Sequence, residues 1–153
     1  MGTDALSTAE ALQLVVATHR LLRGLRRAVG APGPHATQLV VLALLARQGP
    51  LRVGELAARI PCPQPTATLT VSGLQAAGLV TREPDPDDGR ASRVAITPEG
   101  QRVLESVAEG EARELAGLLG SADEADLALL RAAIPLLARL ADVAMRQQEQ
   151  AST

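Results

Sequence analysis

Between residues 39 and 96 the chain is punctuated in a fixed order, and that order constrains the fold more than any single residue does. Residues 39–46 are almost wholly apolar and lie between Thr37 and Gln48-Gly49-Pro50, which predicts a buried helix. Leu51-Arg52-Val53 reads as a strand-like lead into a short helix containing Leu56, Ala57 and Ile60. Pro61-Cys62-Pro63 then forces a turn. Pro65 suits the first position of another helix, which runs through Leu74 to about Ala77, with Gly78 as its stop. Two strand-like runs, residues 79–83 and 91–96, flank the polar turn Pro84-Asp85-Pro86-Asp87-Asp88-Gly89 and predict a β-hairpin. Buried helix, short helix, tight turn, helix, hairpin: this is the order of a helix-turn-helix with a wing.

The flanks are helical. Ser7-Thr8-Ala9-Glu10 is a capping-box start, followed by Leu12, Val15, Val16, His19, Leu22, Leu25 and Val29 at helical spacing. A first helix of about five turns should end at Gly30-Ala31-Pro32-Gly33-Pro34. Thr97-Pro98-Glu99 predicts another helix, with Thr97 as N-cap, continuing toward Leu119. Ser121-Ala122-Asp123-Glu124 predicts a last capping box. Beyond it Leu127, Leu130, Ile134, Leu137, Ala141 and Ala144 step by three and four, the rhythm of a helix–helix seam. Pro135 should kink that helix, and residues 147–153 should fray. The fold class expected is mainly α with a small β-hairpin. Residues 1–153 then form one domain, with a winged helix-turn-helix at 35–100 and a helical dimerisation region at 1–34 and 101–148.

Composition narrows the function classes. Hydrophobic residues make up 46% of the chain without one Phe, Trp or Tyr, so Leu, Val and Ala must fill the interior. No apolar run approaches the ~18 residues of a spanning helix, and residues 1–10 lack the basic and apolar regions of an export signal. A single cysteine, Cys62, excludes an intramolecular disulfide and fits a reducing compartment. A cytoplasmic location is expected. The net charge of −2 hides an asymmetry: residues 1–46 carry +2, residues 47–102 carry +1 and residues 103–153 carry −5. All 15 basic residues are Arg, which suits phosphate and base-edge contacts and equally a codon bias. There is no Gly-rich phosphate loop, no Ser/His/Asp arrangement and no ligand cluster, so neither an enzyme nor a cofactor is expected. Two scattered histidines and one cysteine make no zinc site.

In a helix-turn-helix the second helix enters the major groove, and a wing beside it reaches a neighbouring minor groove, where Arg90 is long enough to enter. A winged helix used only as a protein-interaction adaptor is the alternative. From His35 to Gly100 the chain resembles the MarR (multiple antibiotic resistance regulator) family. The resemblance is carried by Gln38-x-x-x-Leu42-x-x-Leu45, Gly49-Pro50-Leu51-x-x-x-Glu55-Leu56-Ala57, Gln64-Pro65-Thr66-x-Thr68 and Leu74-x-x-x-Gly78-Leu79-Val80-x-Arg82. Its most specific pieces are Asp85-Pro86-x-Asp88-x-Arg90 and Ile96-Thr97-x-x-Gly100. The flanking helices match the family's dimerisation helices in position and length. The resemblance implies a homodimer on a palindromic double-stranded operator, relieved by a small molecule or by oxidation.

There are departures from that pattern. Gly89 stands where relatives often carry a second wing Arg, and Leu69 and Gly73 stand where basic side chains are common. With no Arg or Lys on the recognition helix, readout must lean on Gln64, Thr66, Thr68, Ser72 and Gln75. Thr66 is equally a capping or phosphate-contacting residue. Asp88 either pairs with and pre-positions the Arg90 guanidinium or is a solvated turn residue. Arg93 either holds a phosphate or is simply exposed. Arg20, Arg23 and Arg27 share a face of the first helix, as a solvated row or as partners of Glu105, Glu109 or Glu111 on another subunit. His19 and His35 are candidates for the lining of a ligand cavity, with a purely structural role as the alternative. Cys62 reads as a bystander thiol, because the first helix, where oxidation-sensing relatives carry their cysteine, has none.

Overall fold

Local capping sets where the helices of this computed structural model begin; it describes residues 6–30, 33–60 and 62–151. Helix α1 (Thr8–Val29) opens on the expected box, with Ser7 N–H donating to the Glu10 carboxylate at 2.8 Å and Ser7 Oγ accepting from Glu10 N–H at 3.3 Å. Helix α2 (Ala36–Gln48) begins almost a turn before the apolar run, because Gln38 reaches back to accept from His35 N–H at 2.8 Å. Strand β1 (Leu51–Arg52), helix α3 (Val53–Arg59) and helix α4 (Gln64–Ala76) follow as the punctuation predicts. Strands β2 (Val80–Pro84) and β3 (Ser92–Ile96) make the wing, and helices α5 (Pro98–Leu119) and α6 (Glu124–Ala151) complete the chain. Ala31, Pro32 and Pro61, parts of two of the predicted breaks, lie outside the described residues, as do residues 152 and 153 of the tail.

The expected fold class, mainly α with a small β-hairpin, is present; one strand pairing is added to it, and two expectations about the last helix are corrected. The hairpin is part of a three-stranded antiparallel sheet in the order β1-β3-β2, since β1 adds itself to β3 with Leu51 opposite Val94 and Arg52 opposite Arg93. The last helix is capped by Asp123 rather than Ser121: Asp126 N–H donates to Asp123 Oδ1 at 2.8 Å, while Ala122 N–H is engaged in a turn with the Leu119 carbonyl at 3.0 Å. That helix also remains one element across Pro135 and through residues 147–151, where fraying was expected.

The core lies within the winged helix. Leu42 and Leu45 of α2, Leu56 of α3, Val71 and Leu74 of α4 and Val94 of β3 are fully buried against one another. Aliphatic side chains alone fill this interior, which is why the aromatic-free composition is no obstacle to packing. Gly78, at φ +73°, closes α4: Leu79 N–H donates to the Leu74 carbonyl at 2.9 Å and Gly78 N–H to that of Gln75 at 3.0 Å, the paired bonds of a left-handed helix stop. The start of α5 is bolted to this stop. Thr97 Oγ1 donates to the Gly78 carbonyl at 2.7 Å and accepts from Gly100 N–H at 3.0 Å. A Cβ at Gly100 would overlap the Leu79 carbonyl, so the Thr-x-x-Gly pattern seen in the sequence is a packing requirement. No helix among the described residues is long and apolar enough to cross a membrane.

Candidate nucleic-acid interface

Helix α4 is two-faced in burial though not in charge. Ala67, Val71 and Leu74 are buried, and Gln64, Thr66, Thr68, Leu69, Ser72 and Gln75 are exposed. The predicted readers Gln64, Thr66, Thr68 and Ser72 are therefore brought together on one accessible helix. Their hydrogen-bonding states differ. Thr68 Oγ1 donates back to the Gln64 carbonyl at 3.1 Å, so its proton is engaged within the helix. Thr66 is not a cap: the N-cap position is held by Pro63, whose carbonyl accepts from Thr66 N–H at 2.9 Å. Gln75 is tied to the sheet, its Oε1 accepting from Arg82 Nε at 3.3 Å, and Arg82 also donates to Ser92 Oγ at 3.2 Å. Arg82 thus joins the helix to both wing strands, a role the sequence reading did not assign it.

The wing is built around a buried carboxylate. Asp85 is only 3% exposed, the one buried charged residue among those described. Its Oδ2 accepts from Arg52 Nε at 2.6 Å and from Arg93 Nε at 2.9 Å, and its Oδ1 accepts the Asp87 and Asp88 N–H groups at 2.9 and 3.2 Å. The Arg52 hydrogen bond, reinforced by Arg93 and the Asp87 N–H, holds the Asp85 carboxyl well below the usual carboxylate range despite the opposing effect of burial. Arg52 and Arg93 stand directly opposite across β1 and β3, where like charges repel, and Asp85 neutralises the pair. Arg93 therefore does not lie free. Its guanidinium is committed to Asp85 and, at 2.9 Å, to Asp87.

At the tip, Asp88 Oδ1 accepts from the backbone N–H of Arg90 at 3.0 Å. Asp88 thus shapes the turn instead of holding the Arg90 guanidinium, as one of its two expected roles required. Arg90 itself is exposed, with no carboxylate paired to its guanidinium among the described residues. What the sequence reading missed here is Arg52 and the role of Asp85. The signal was an Asp-Pro at a strand end, but its partners become visible only once β1 is known to pair with β3.

Between α1, α2 and α5 lies a cavity of about 350 Å³, walled by Val29, Leu39, Val103 and Val107 and bordered by the Arg26–Glu111 ion pair at 3.0 Å. This Arg-to-Glu link is made within one chain by Arg26, while Arg20, Arg23 and Arg27 are exposed on the same helix. His19 borders a neighbouring depression with Leu22, Arg23, Arg26 and Ala36. His35, between two residues of the cavity wall, is exposed at the start of α2 and does not line the cavity. Cys62 is a half-buried free thiol packed against the core. No group of His, Cys, Asp and Glu among the described residues could hold a metal ion.

Known proteins share this arrangement. Residues 35–92 match the MarR family. An HTH-type transcriptional regulator of Mycobacterium tuberculosis is 30% identical over 132 residues, covering 86% of this chain and 92% of the relative. The HTH-type transcriptional repressor MdtR of Bacillus subtilis is 31% identical over 118 residues, covering 77% of this chain and 74% of MdtR. Among solved structures, a transcriptional regulator of Thermotoga maritima superposes with a TM-score of 0.70 at 26% identity, covering 92% and 97% of the two chains. A MarR family protein of Bacillus stearothermophilus, 24% identical over 90% and 99% of the chains, shares the fold with a TM-score of 0.67. With the exposed second helix, the wing and the flanking helices all in place, this chain belongs to the MarR family of DNA-binding, winged helix-turn-helix transcriptional regulators.

Proposed function

We propose that this regulator is a homodimeric repressor that binds a palindromic operator and releases it when a small molecule occupies the cavity between α1, α2 and α5. In this reading residues 35–100 read DNA, and residues 1–34 and 101–148 pair two copies. The observation that carries it is the apolar surface left uncovered on the helices outside the winged helix: Leu12, Leu14 and Val15 of α1 and Leu130, Ile134 and Leu137 of α6 are all exposed in the single chain. Uncovered surface of this extent on a folded chain marks an interaction site. Pairing along these helices gives two copies of α4 related by a twofold axis, which suits half-sites about one turn, ~34 Å, apart. Gln64, Thr66, Thr68 and Ser72 then face the bases, Arg90 enters the minor groove, and Arg93 and Asp88 hold the wing in position for it. The name of MdtR, a repressor, favours repression over activation.

The cavity supports ligand response because it touches the pairing helices α1 and α5 and the winged-helix element α2 at once. A quantitative gel shift and footprint on DNA flanking the protein's own coding sequence tests the reading. The expected result is a twofold-symmetric footprint that shrinks when a cavity-binding small molecule is added. Ser106→Leu, which fills the cavity from α5, should retain the footprint and lose the response. Binding by one copy to an asymmetric site, or a ligand response intact in Ser106→Leu, would contradict it.

A further inference from the structure

We propose that Leu69 is a base-reading residue: it contacts the 5-methyl groups of thymines in the major groove, so that part of the operator is specified by apolar contact rather than by hydrogen bonds. The inference rests on the DNA-binding reading of α4 and assigns that helix a further reader. Leu69 is 74% exposed, more than any other large hydrophobic residue among those described. Helical spacing puts Pro65, Leu69, Ser72 and Ala76 in one stripe opposite the buried Ala67, Val71 and Leu74. Leu69 is the longest side chain of that stripe, flanked by short ones that let the helix backbone come close to a surface.

The chemistry of α4 favours this use. Residues 64–76 carry no charged side chain, so the helix cannot grip guanine with a guanidinium or ammonium. Two of its hydroxyl protons are turned inward, Thr68 Oγ1 to the Gln64 carbonyl at 3.1 Å and Thr70 Oγ1 to the Thr66 carbonyl at 2.8 Å. The thymine methyl is the apolar group that the major groove displays, and it distinguishes T·A from the other pairs. A protein partner fits less well. A stable protein interface needs roughly 800 Å² on each side, and one leucine ringed by Pro, Ser, Gly and Ala does not approach that.

The test is a coupling experiment with the full chain. The tightest duplex recovered from a random-sequence pool by wild-type protein is remade with each thymine of a half-site replaced in turn by deoxyuridine, which lacks only the methyl group. Losing one buried methyl should weaken wild type about fourfold at one or two positions per half-site. Leu69→Ala, a change on an exposed helix position that leaves the core intact, should bind the unmodified duplex more weakly and be indifferent to deoxyuridine at those same positions. Equal deoxyuridine penalties in wild type and Leu69→Ala, or none in either, would overturn this inference while leaving the DNA-binding reading standing. Failure of any duplex to be enriched would overturn both.

Discussion

Leucines in α2 and leucines in α6 have opposite fates. Leu42 and Leu45 are fully buried within the winged helix, whereas Leu129 and Leu140 of α6 are 70% and 52% exposed. Helix α6 returns to the winged helix through its far end, where Asp142 pairs with Arg47 at 3.2 Å and Met145 packs on the core. The winged helix thus holds the core, with a few side chains of the flanking helices packed against it, and the flanking helices carry further apolar side chains that no described residue of the same chain buries. Hydrophobicity alone does not say which kind of helix a sequence encodes. The period of the apolar residues and the reach of their neighbours decide it.

The contrast can be broken most sharply in the core. Leu42→Ala leaves a cavity among packed aliphatic side chains and should cost ~2–5 kcal/mol in denaturant unfolding. Leu137→Glu should act differently: the isolated chain tolerates a carboxylate at a half-exposed position, but burying it between copies does not pay. That variant should be folded by circular dichroism, monomeric, and of a stability that no longer rises with protein concentration. A Leu137→Glu chain that stays dimeric would remove α6 from the interface.

Within the DNA-facing part a smaller effect separates wing from helix. Arg90→Ala removes one cationic contact and should make the slope of log K against log salt shallower by ~0.9 while keeping most operator preference. An unchanged slope would take the wing out of the interface. The smallest effect concerns acid. The Asp85 carboxyl is held low by its hydrogen bond to Arg52, with Arg93 adding to it, so its contribution is complete above the unfolded carboxylate pKa of ~3.9 and is lost as pH falls below that. Amide exchange in β2 and β3 should therefore be insensitive to Asp85 titration between pH 5 and 8 and should loosen at lower pH. Asp85→Asn should be looser at neutral pH and lose that acid dependence.

Much of this architecture was legible because its signals are local. Ser7 with Glu10, Thr97 with Gly100 and Gly78 after α4 each fix an element boundary within a few residues, and each stands where the sequence reading put it. The Asp123 cap was misassigned by two residues because Ser121 offers the same capping chemistry nearby. The Asp85 node was not legible: its partners Arg52 and Arg93 lie 33 and 8 residues away and meet only when β1 joins the sheet. Arg93, legible as a phosphate contact or an exposed residue, is drawn into the same node, and Asp88, legible as a partner of the Arg90 guanidinium or a turn residue, bonds the Arg90 backbone. Uncommitted side chains such as Arg90 and Gln64 carry no internal record of what they meet, so their roles rest on position alone.

Sedimentation equilibrium of the full chain, across a concentration series without DNA, bears most directly on the claim that the uncovered faces of α1 and α6 join two copies. Pairing of those faces predicts a species of twice the chain's mass throughout the micromolar range. A stable, folded monomer at those concentrations would contradict it.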